Sequence, residues 1–368
     1  MKLNCNPADL SEALSVVSKA IPSRTDIPVL EGIKILAEGD TVTLTASDLE
    51  IFIERKMKGE IELEGECVVI GKFFTEFVRK LNGLDSISLE LNGDKLEIGY
   101  GDNKGEIQCL NVDTFPEMRQ VDDDIYFKIK ERELKDVLDK TIFCVAIEDS
   151  RPILKGVLME LKEQSLTAVA VDGYRLAVGK TTLIESKGDA SIIVPGKTLN
   201  EVSKIFSDTD DEVKVNVQKN NIMFDIGHTK IIARLIEGEY IKYTQIIPNN
   251  CDTSVVIKRD AFEHGLDRAG LIARNQKNNY LKLSLGSDEI VIKSDSQIGK
   301  IREVVKCNVG GKEMEIAFNA KYLFDALNRI KDEVICIDLI SSNAPALIRP
   351  LEGEAYKYVV LPVRLMGN

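Results

Sequence analysis

Side chains able to do covalent chemistry are few in this chain and poorly spaced for it. The two histidines, His228 and His264, stand at no metal-binding or catalytic spacing. The cysteines (Cys5, Cys67, Cys109, Cys144, Cys251, Cys307 and Cys336) are scattered, odd in number and form no CxxC pair. That argues against a zinc site and a disulfide framework, and fits a reducing cytoplasm. No Walker-type glycine loop and no GxSxG is present, and Gly173 in VDGYRL is a single glycine in a strand context. The expectation is therefore no catalytic residue, no metal and no cofactor. What does recur is a cation. Lys72, Lys197 and Lys321 each follow a short β-rich run and a small turn residue, and each opens an amphipathic helix. Their offsets are 125 and 124 residues. Were such a lysine to meet a nucleic acid, it would contact phosphate and read no base.

The elements around those lysines repeat with them. The segments ECVVIGKFFTEFVRKL, ASIIVPGKTLNEVSKIF and MEIAFNAKYLFDALNRI share one pattern, and an earlier helix precedes each. That earlier helix reads ADLSEALSVVSKAI, ERELKDVLDKTIFCVA and RDAFEHGLDRAGLIA. Between the helices run strand pairs, each interrupted by an aspartate (Asp48, Asp172, Asp295) as in a hairpin. Later strands alternate at period two around NGD and KNN turns. Asn6 and Pro7 suit a helix start, with Leu10, Ala13, Leu14, Val17 and Ile21 on one face. Phe74, Phe77, Val78 and Leu81 make the face of the next helix. Strand follows strand through short turns, so the class is α+β with antiparallel sheets, written three times. Polar, turn-rich stretches place the boundaries so that the domains are 1–122, 123–248 and 249–368.

Composition is that of a soluble protein, with 44% hydrophobic and 29% charged residues, and no apolar run long enough for a membrane span or a signal peptide core. The net charge of -12 opposes a wide grip on nucleic acid unless the basic residues are sorted onto one face. Segments taken as helical (6–21, 72–81, 130–142, 197–206, 258–277 and 321–331) are net positive, while the remainder is strongly negative. That sorting nominates Lys72, Arg79, Lys80, Lys197, Lys204, Arg274, Lys277, Lys321 and Arg329 as a phosphate-facing layer. A merely solvated helix face is the alternative for each of them.

The chain also resembles a known family along essentially its whole length, the β subunit of bacterial DNA polymerase III. The motifs are SRTDIPVLEGI, TASDLEI, FPEM, RPILKGVL, VDGYRLAV, IVPGK, EGEYIKY, IAFNAKYL and the terminal YVVLPVRL. The resemblance implies a non-catalytic sliding clamp: a head-to-tail homodimer closed into a ring around double-stranded DNA, with helices lining the hole. It places Ile107, Leu271 and Ile272 at the dimer interface, where ordinary core packing is the alternative. It places a pocket for short hydrophobic partner peptides at Leu154, Gly173, Tyr174, Arg175, Leu176, Pro248, Asn319, Tyr322, Val359, Leu361, Pro362, Val363, Arg364 and Leu365. Arg24 and Arg151 match segments that approach DNA, although Glu148 and Asp149 make the second loop less basic. The implied partners are the polymerase α subunit, an ATP-driven clamp loader, and other polymerases and repair proteins. Two departures stand out: position 174 is Tyr where His is common, and Met366, Gly367 and Asn368 follow the usual final RL. The rival readings are an enzyme and a protein-binding repeat scaffold that does not touch DNA.

Overall fold

The computed structural model describes residues 1–81, 83–118, 121–148, 151–276 and 279–364. The first copy runs β1 (Lys2–Cys5), α1 (Pro7–Val17), β2 (Gly32–Glu38), β3 (Thr41–Ser47), β4 (Ile51–Lys58), β5 (Glu60–Leu63), β6 (Gly65–Ile70), α2 (Gly71–Arg79), β7 (Ile87–Asn92), β8 (Lys95–Tyr100), β9 (Asn103–Leu110). The second runs β10 (Ile125–Lys130), α3 (Glu131–Asp139), β11 (Gly156–Lys162), β12 (Ser165–Val171), β13 (Arg175–Thr182), β14 (Glu185–Lys187), β15 (Ala190–Pro195), α4 (Gly196–Ser203), β16 (Glu212–Val217), β17 (Asn221–Ile226), β18 (Thr229–Arg234). The third runs β19 (Thr253–Lys258), α5 (Arg259–Ala273), β20 (Tyr280–Leu285), β21 (Glu289–Ser296), β22 (Gly299–Lys306), β23 (Asn308–Gly311), β24 (Met314–Asn319), α6 (Ala320–Leu327), β25 (Val334–Leu339), β26 (Ala346–Pro350), β27 (Tyr356–Val360). The order of elements is the same in all three, and the strand pairs are antiparallel.

Local chemistry explains the helix starts. The Asn6 side chain accepts from the Ala8 and Asp9 N–H groups at 2.8 and 3.3 Å, with Pro7 in the first turn. Leu10, Ala13, Leu14 and Val17 are then buried. In α6, Asn319 caps by accepting from the Lys321 N–H at 2.9 Å. The α-helices are shorter than the sequence pattern predicts. Lys80 and Arg274 are the capping residues at the ends of α2 and α5, and Lys204 and Arg329 lie beyond α4 and α6.

One hairpin differs from expectation. Asp48 Oδ1 accepts from the Glu50 and Ile51 N–H groups, and Asp172 Oδ1 does the same for Tyr174 and Arg175. Asp295 does not take this role. Its ladder continues to the pair Ser296↔Gly299, so Asp295 stands opposite Lys300 in an ion pair of 2.6 Å. Ser296 supplies the turn acceptor instead, to the Ile298 N–H.

Packing divides the chain by sheets. One unit takes in Met1–Glu131, Ile184–Gly188 and Lys204–Leu235. Its 14-stranded sheet is ordered β14-β10-β16-β17-β18-β4-β3-β2-β6-β9-β8-β7-β1-β5. The other unit takes in Arg132–Leu183, Asp189–Ser203 and Ile236–Asn368. It holds a nine-stranded sheet, β15-β11-β12-β13-β27-β26-β25-β19-β23, and a four-stranded sheet, β22-β21-β20-β24. Copies are therefore joined by continuous sheet. β18 pairs with β4 from Thr229↔Arg55 to Ala233↔Ile51, and β27 pairs with β13 from Val360↔Arg175 to Tyr356↔Gly179.

Candidate functional site

The joint between the second and third copies gathers most of the pocket residues expected from the sequence. It is built on the β13–β27 ladder. Leu154, Leu176 and Val359 are all buried in one apolar cluster with Tyr240 and Leu347, against which Ile247 packs. They form a floor rather than an open lining. Gly173 turns the chain at φ 89°, a left-handed conformation that a side chain would strain. The turn sets Tyr174 outward, 61% exposed, with its ring stacked on Tyr322 at 6.2 Å and 28° between planes. The Tyr174 carbonyl accepts from the Leu361 N–H at 2.9 Å, and the Val363 N–H reaches the Ala317 carbonyl at 2.7 Å. The tail thus lies beside this site, with Leu361 exposed, Pro362 and Val363 half-buried and Arg364 exposed. Asn319, Tyr322 and Pro248 are half-buried. Leu365 lies outside the described residues.

Arg175 does not behave as a rim residue. Only 8% exposed, it donates from Nε to Asp172 at 2.9 Å, from Nη1 to Asp325 at 2.5 Å and from Nη2 to the Phe143 carbonyl at 3.1 Å. Its guanidinium also lies 4.6 Å from the Tyr322 ring centroid and 5.4 Å from that of Phe143. Burial pushes its pKa down, but the Asp325 and Asp172 carboxylates outweigh that and hold the charge firmly. Arg175 therefore ties α6 and the loop at Phe143 to the hairpin carrying Tyr174. Sequence reading missed Phe143 and Asp325, because a residue's distant partners leave no local signal.

The expected cation layer is exposed as described. Arg24, Lys72, Arg79, Lys80, Arg151, Lys197, Lys204, Arg274 and Lys321 all reach solvent, while Lys277 lies outside the described residues. The charge sorting onto helices, however, needs correction. Within observed bounds, α1, α3 and α5 hold more acidic than basic residues, α4 and α6 balance, and only α2 is net positive. The excess of cations sits at and just past helix C-termini, where carbonyl ends favour positive charge. Arg329 stacks at 5.9 Å over Phe143.

Two strands matter for a contact with a second copy. β22 ends its sheet with β21 as its one neighbour, and β9 meets β6 only at Val68↔Leu110 and Val69↔Cys109. Beside β9, Phe73 is 55% exposed and stacks on Phe77, which meets Tyr100 edge-on at 5.6 Å. The matching positions in the other copies are Thr198 and Val202, both buried, and Tyr322 and Ala326, half-buried and buried. Of the expected interface residues, Leu271 is 56% exposed and Ile272 half-buried, but Ile107 is already 8% exposed within its own sheet.

Family models match nearly the whole chain. The N-terminal domain of the DNA polymerase III beta subunit matches residues 1–119, the central domain 128–242 and the C-terminal domain 244–364. The chain is 34% identical over 357 residues to a beta sliding clamp of Staphylococcus epidermidis and 35% identical to one of Staphylococcus aureus, covering 94% of each chain. A crystal structure of the DNA polymerase sliding clamp from Bacillus subtilis superposes with a TM-score of 0.96 at 32% identity, covering 100% of both chains. With three clamp domains of helices on antiparallel sheets in the matching order, the chain belongs to the DNA polymerase III beta subunit family.

Proposed function

We propose that two copies of this chain close head to tail into a ring around duplex DNA and hold a replicative polymerase on its template. As a member of this family the chain is a sliding clamp, a processivity factor without catalysis of its own. The observation that carries the ring is an unfilled joint. Two joints are made within the chain, β4–β18 and β13–β27. By repeat position the third would join β22 to β9: β22 is the last strand of its sheet, and β9 meets β6 at two positions only. Carrying the register over places Gly299 opposite the second copy's Ile107, and Lys300 opposite the second copy's Glu106. Ile272 lies beside Gly299, at 4.0 Å from where a Cβ would stand, so it would meet that Ile107. The exposed Phe73 and Leu271 supply the apolar surface such a contact buries. A heterologous contact made twice closes a ring, and closure covers the edge of β22 and the open length of β9.

The site at Tyr174, Tyr322 and the tail would take short apolar peptides of partner proteins, among them the polymerase α subunit, the clamp loader and repair polymerases. Apolar floor, aromatic wall and a few backbone polar groups suit that use. Binding there holds the polymerase near the template at high effective concentration. Lys72, Lys197 and Lys321 would meet phosphates without reading bases, so the ring slides. Loading onto a nicked circular plasmid tests the reading. Sedimentation should give the mass of two chains, and the protein should stay on circular DNA and run off once the plasmid is cut. Equal retention before and after cutting rejects the ring and favours a scaffold that binds DNA otherwise or not at all.

A further inference from the structure

The outer face of the four-stranded sheet in the third copy carries a row of cations that the clamp reading does not use. Lys282 stands directly opposite Lys293, and Lys293 directly opposite Arg302. Residues so paired share a face, and like charges in these positions destabilise a sheet. The other face of the sheet is accounted for: Leu281, Leu283, Ile290 and Ile292 are buried, and Glu303 binds Arg268 on α5 at 2.7 Å. Lys300, which the proposed ring sets opposite the second copy's Glu106, lies on the same face two residues from Arg302. Two carboxylates temper the row. Glu315 meets Lys282 at 2.7 Å and Lys293 at 3.8 Å, and Asp295 meets Lys300. Arg302 has no ion pair among the described residues. A cleft of about 370 Å³ opens over the row, with Tyr280 at its end. In a chain of net charge -12, such a concentration of positive charge runs against the surface as a whole.

We propose that this cleft binds a chain of linked phosphates, either inorganic polyphosphate or the polyphosphate of a nucleotide. The row crosses two interstrand spacings, about 10 Å, so its cations stand about 5 Å apart. An extended acidic peptide presents same-face carboxylates about 7 Å apart, which fits less well. Phosphates sharing a bridging oxygen lie closer together than that, so alternate phosphates of an extended chain fall at the spacing of the cations. Arg302 forks two phosphate oxygens, while Lys282 and Lys293 act as point charges.

Calorimetric titration of the full-length protein with inorganic tripolyphosphate at low salt tests this. Tripolyphosphate should bind at least about tenfold more tightly than orthophosphate, and Lys293→Gln with Arg302→Gln should weaken it by at least about tenfold. Lys306→Gln, on the same strand but paired with Asp288 and Glu289, should leave affinity unchanged. Tripolyphosphate should also raise the melting temperature of the parent protein and not that of the double variant, a readout that does not depend on ring formation. A nucleoside triphosphate that binds more tightly than tripolyphosphate assigns the nucleotide as the source, with Tyr280 beside its base; equal binding assigns the free phosphate chain. Absent binding, an equal loss in Lys306→Gln, or tighter binding by polyglutamate or a single-stranded oligonucleotide overturns the proposal.

Discussion

Arg175 shows how one residue supports the proposed peptide site through its own buried contacts. Its donors are spent on Asp172, Asp325 and the Phe143 carbonyl, so truncation leaves two carboxylates facing a gap. Arg175→Ala should destabilise the protein by about 3–5 kcal/mol, the usual result of removing one partner from a buried charged network. Chemical denaturation measures this, and binding of an apolar partner peptide should fall with it because Tyr174 and Tyr322 lose their support. A change under about 1 kcal/mol would mean the network is relaxed by water. Asp338 gives a pH-dependent counterpart. Burial raises its pKa, but hydrogen bonds from Arg349, Ser254 and Cys336 outweigh that and hold it below the ordinary aspartate value. A depressed carboxylate contributes stability above its unfolded pKa and loses it as pH falls through the folded value. Stability should therefore drop below about pH 4, and Asp338→Asn should flatten that part of the profile in thermal melts at successive pH values.

Among the elements, α2 is the copy that departs most from its equivalents. Its first turn carries Phe73 into solvent, whereas the matching Thr198 on α4 is buried and Tyr322 on α6 is half-buried and stacked. Leu271 on α5 is exposed in the same way. Both are apolar and more than half exposed. Phe73→Asp or Leu271→Asp should shift the sedimenting species from two chains to one, with far-ultraviolet circular dichroism unchanged. A persistent dimer would place the interface elsewhere. The short helices also revise the electrostatics. A net positive helix layer was expected, yet only α2 is net positive within its bounds. The excess of cations lies at and past helix C-termini instead, at Lys80, Lys204, Arg274 and Arg329.

Across the whole molecule, charge and topology act together. An acidic chain repels DNA from most of its surface, so the cations that remain decide where a duplex passes. Reversing Arg24 and Lys197 to glutamate should weaken direct DNA binding across all sequences alike. It should also reduce the slope of log affinity against log salt by about one for each phosphate that is no longer neutralised. Unchanged binding at low salt would remove these residues from the lining. No helix among the described residues is long and apolar enough to cross a membrane.

Periodicity and spacing in the sequence determined the threefold repeat, the α+β class and the lysine at the start of each second helix. These are local properties, set by helix caps, alternation and turn residues that each segment carries itself. Even there, Asp295 misled, because one extra strand pair shifts a turn without altering the pattern around it. Tertiary structure decided the rest. Only the assembled sheets tie Arg175 to Asp325, 150 residues away, or leave β22 last in its sheet and β9 meeting β6 at two positions only. Burial alone turned Leu154, Leu176 and Val359 from lining into floor. Such facts arise from which strands meet, and strand pairing between copies is a long-range choice that no single segment records.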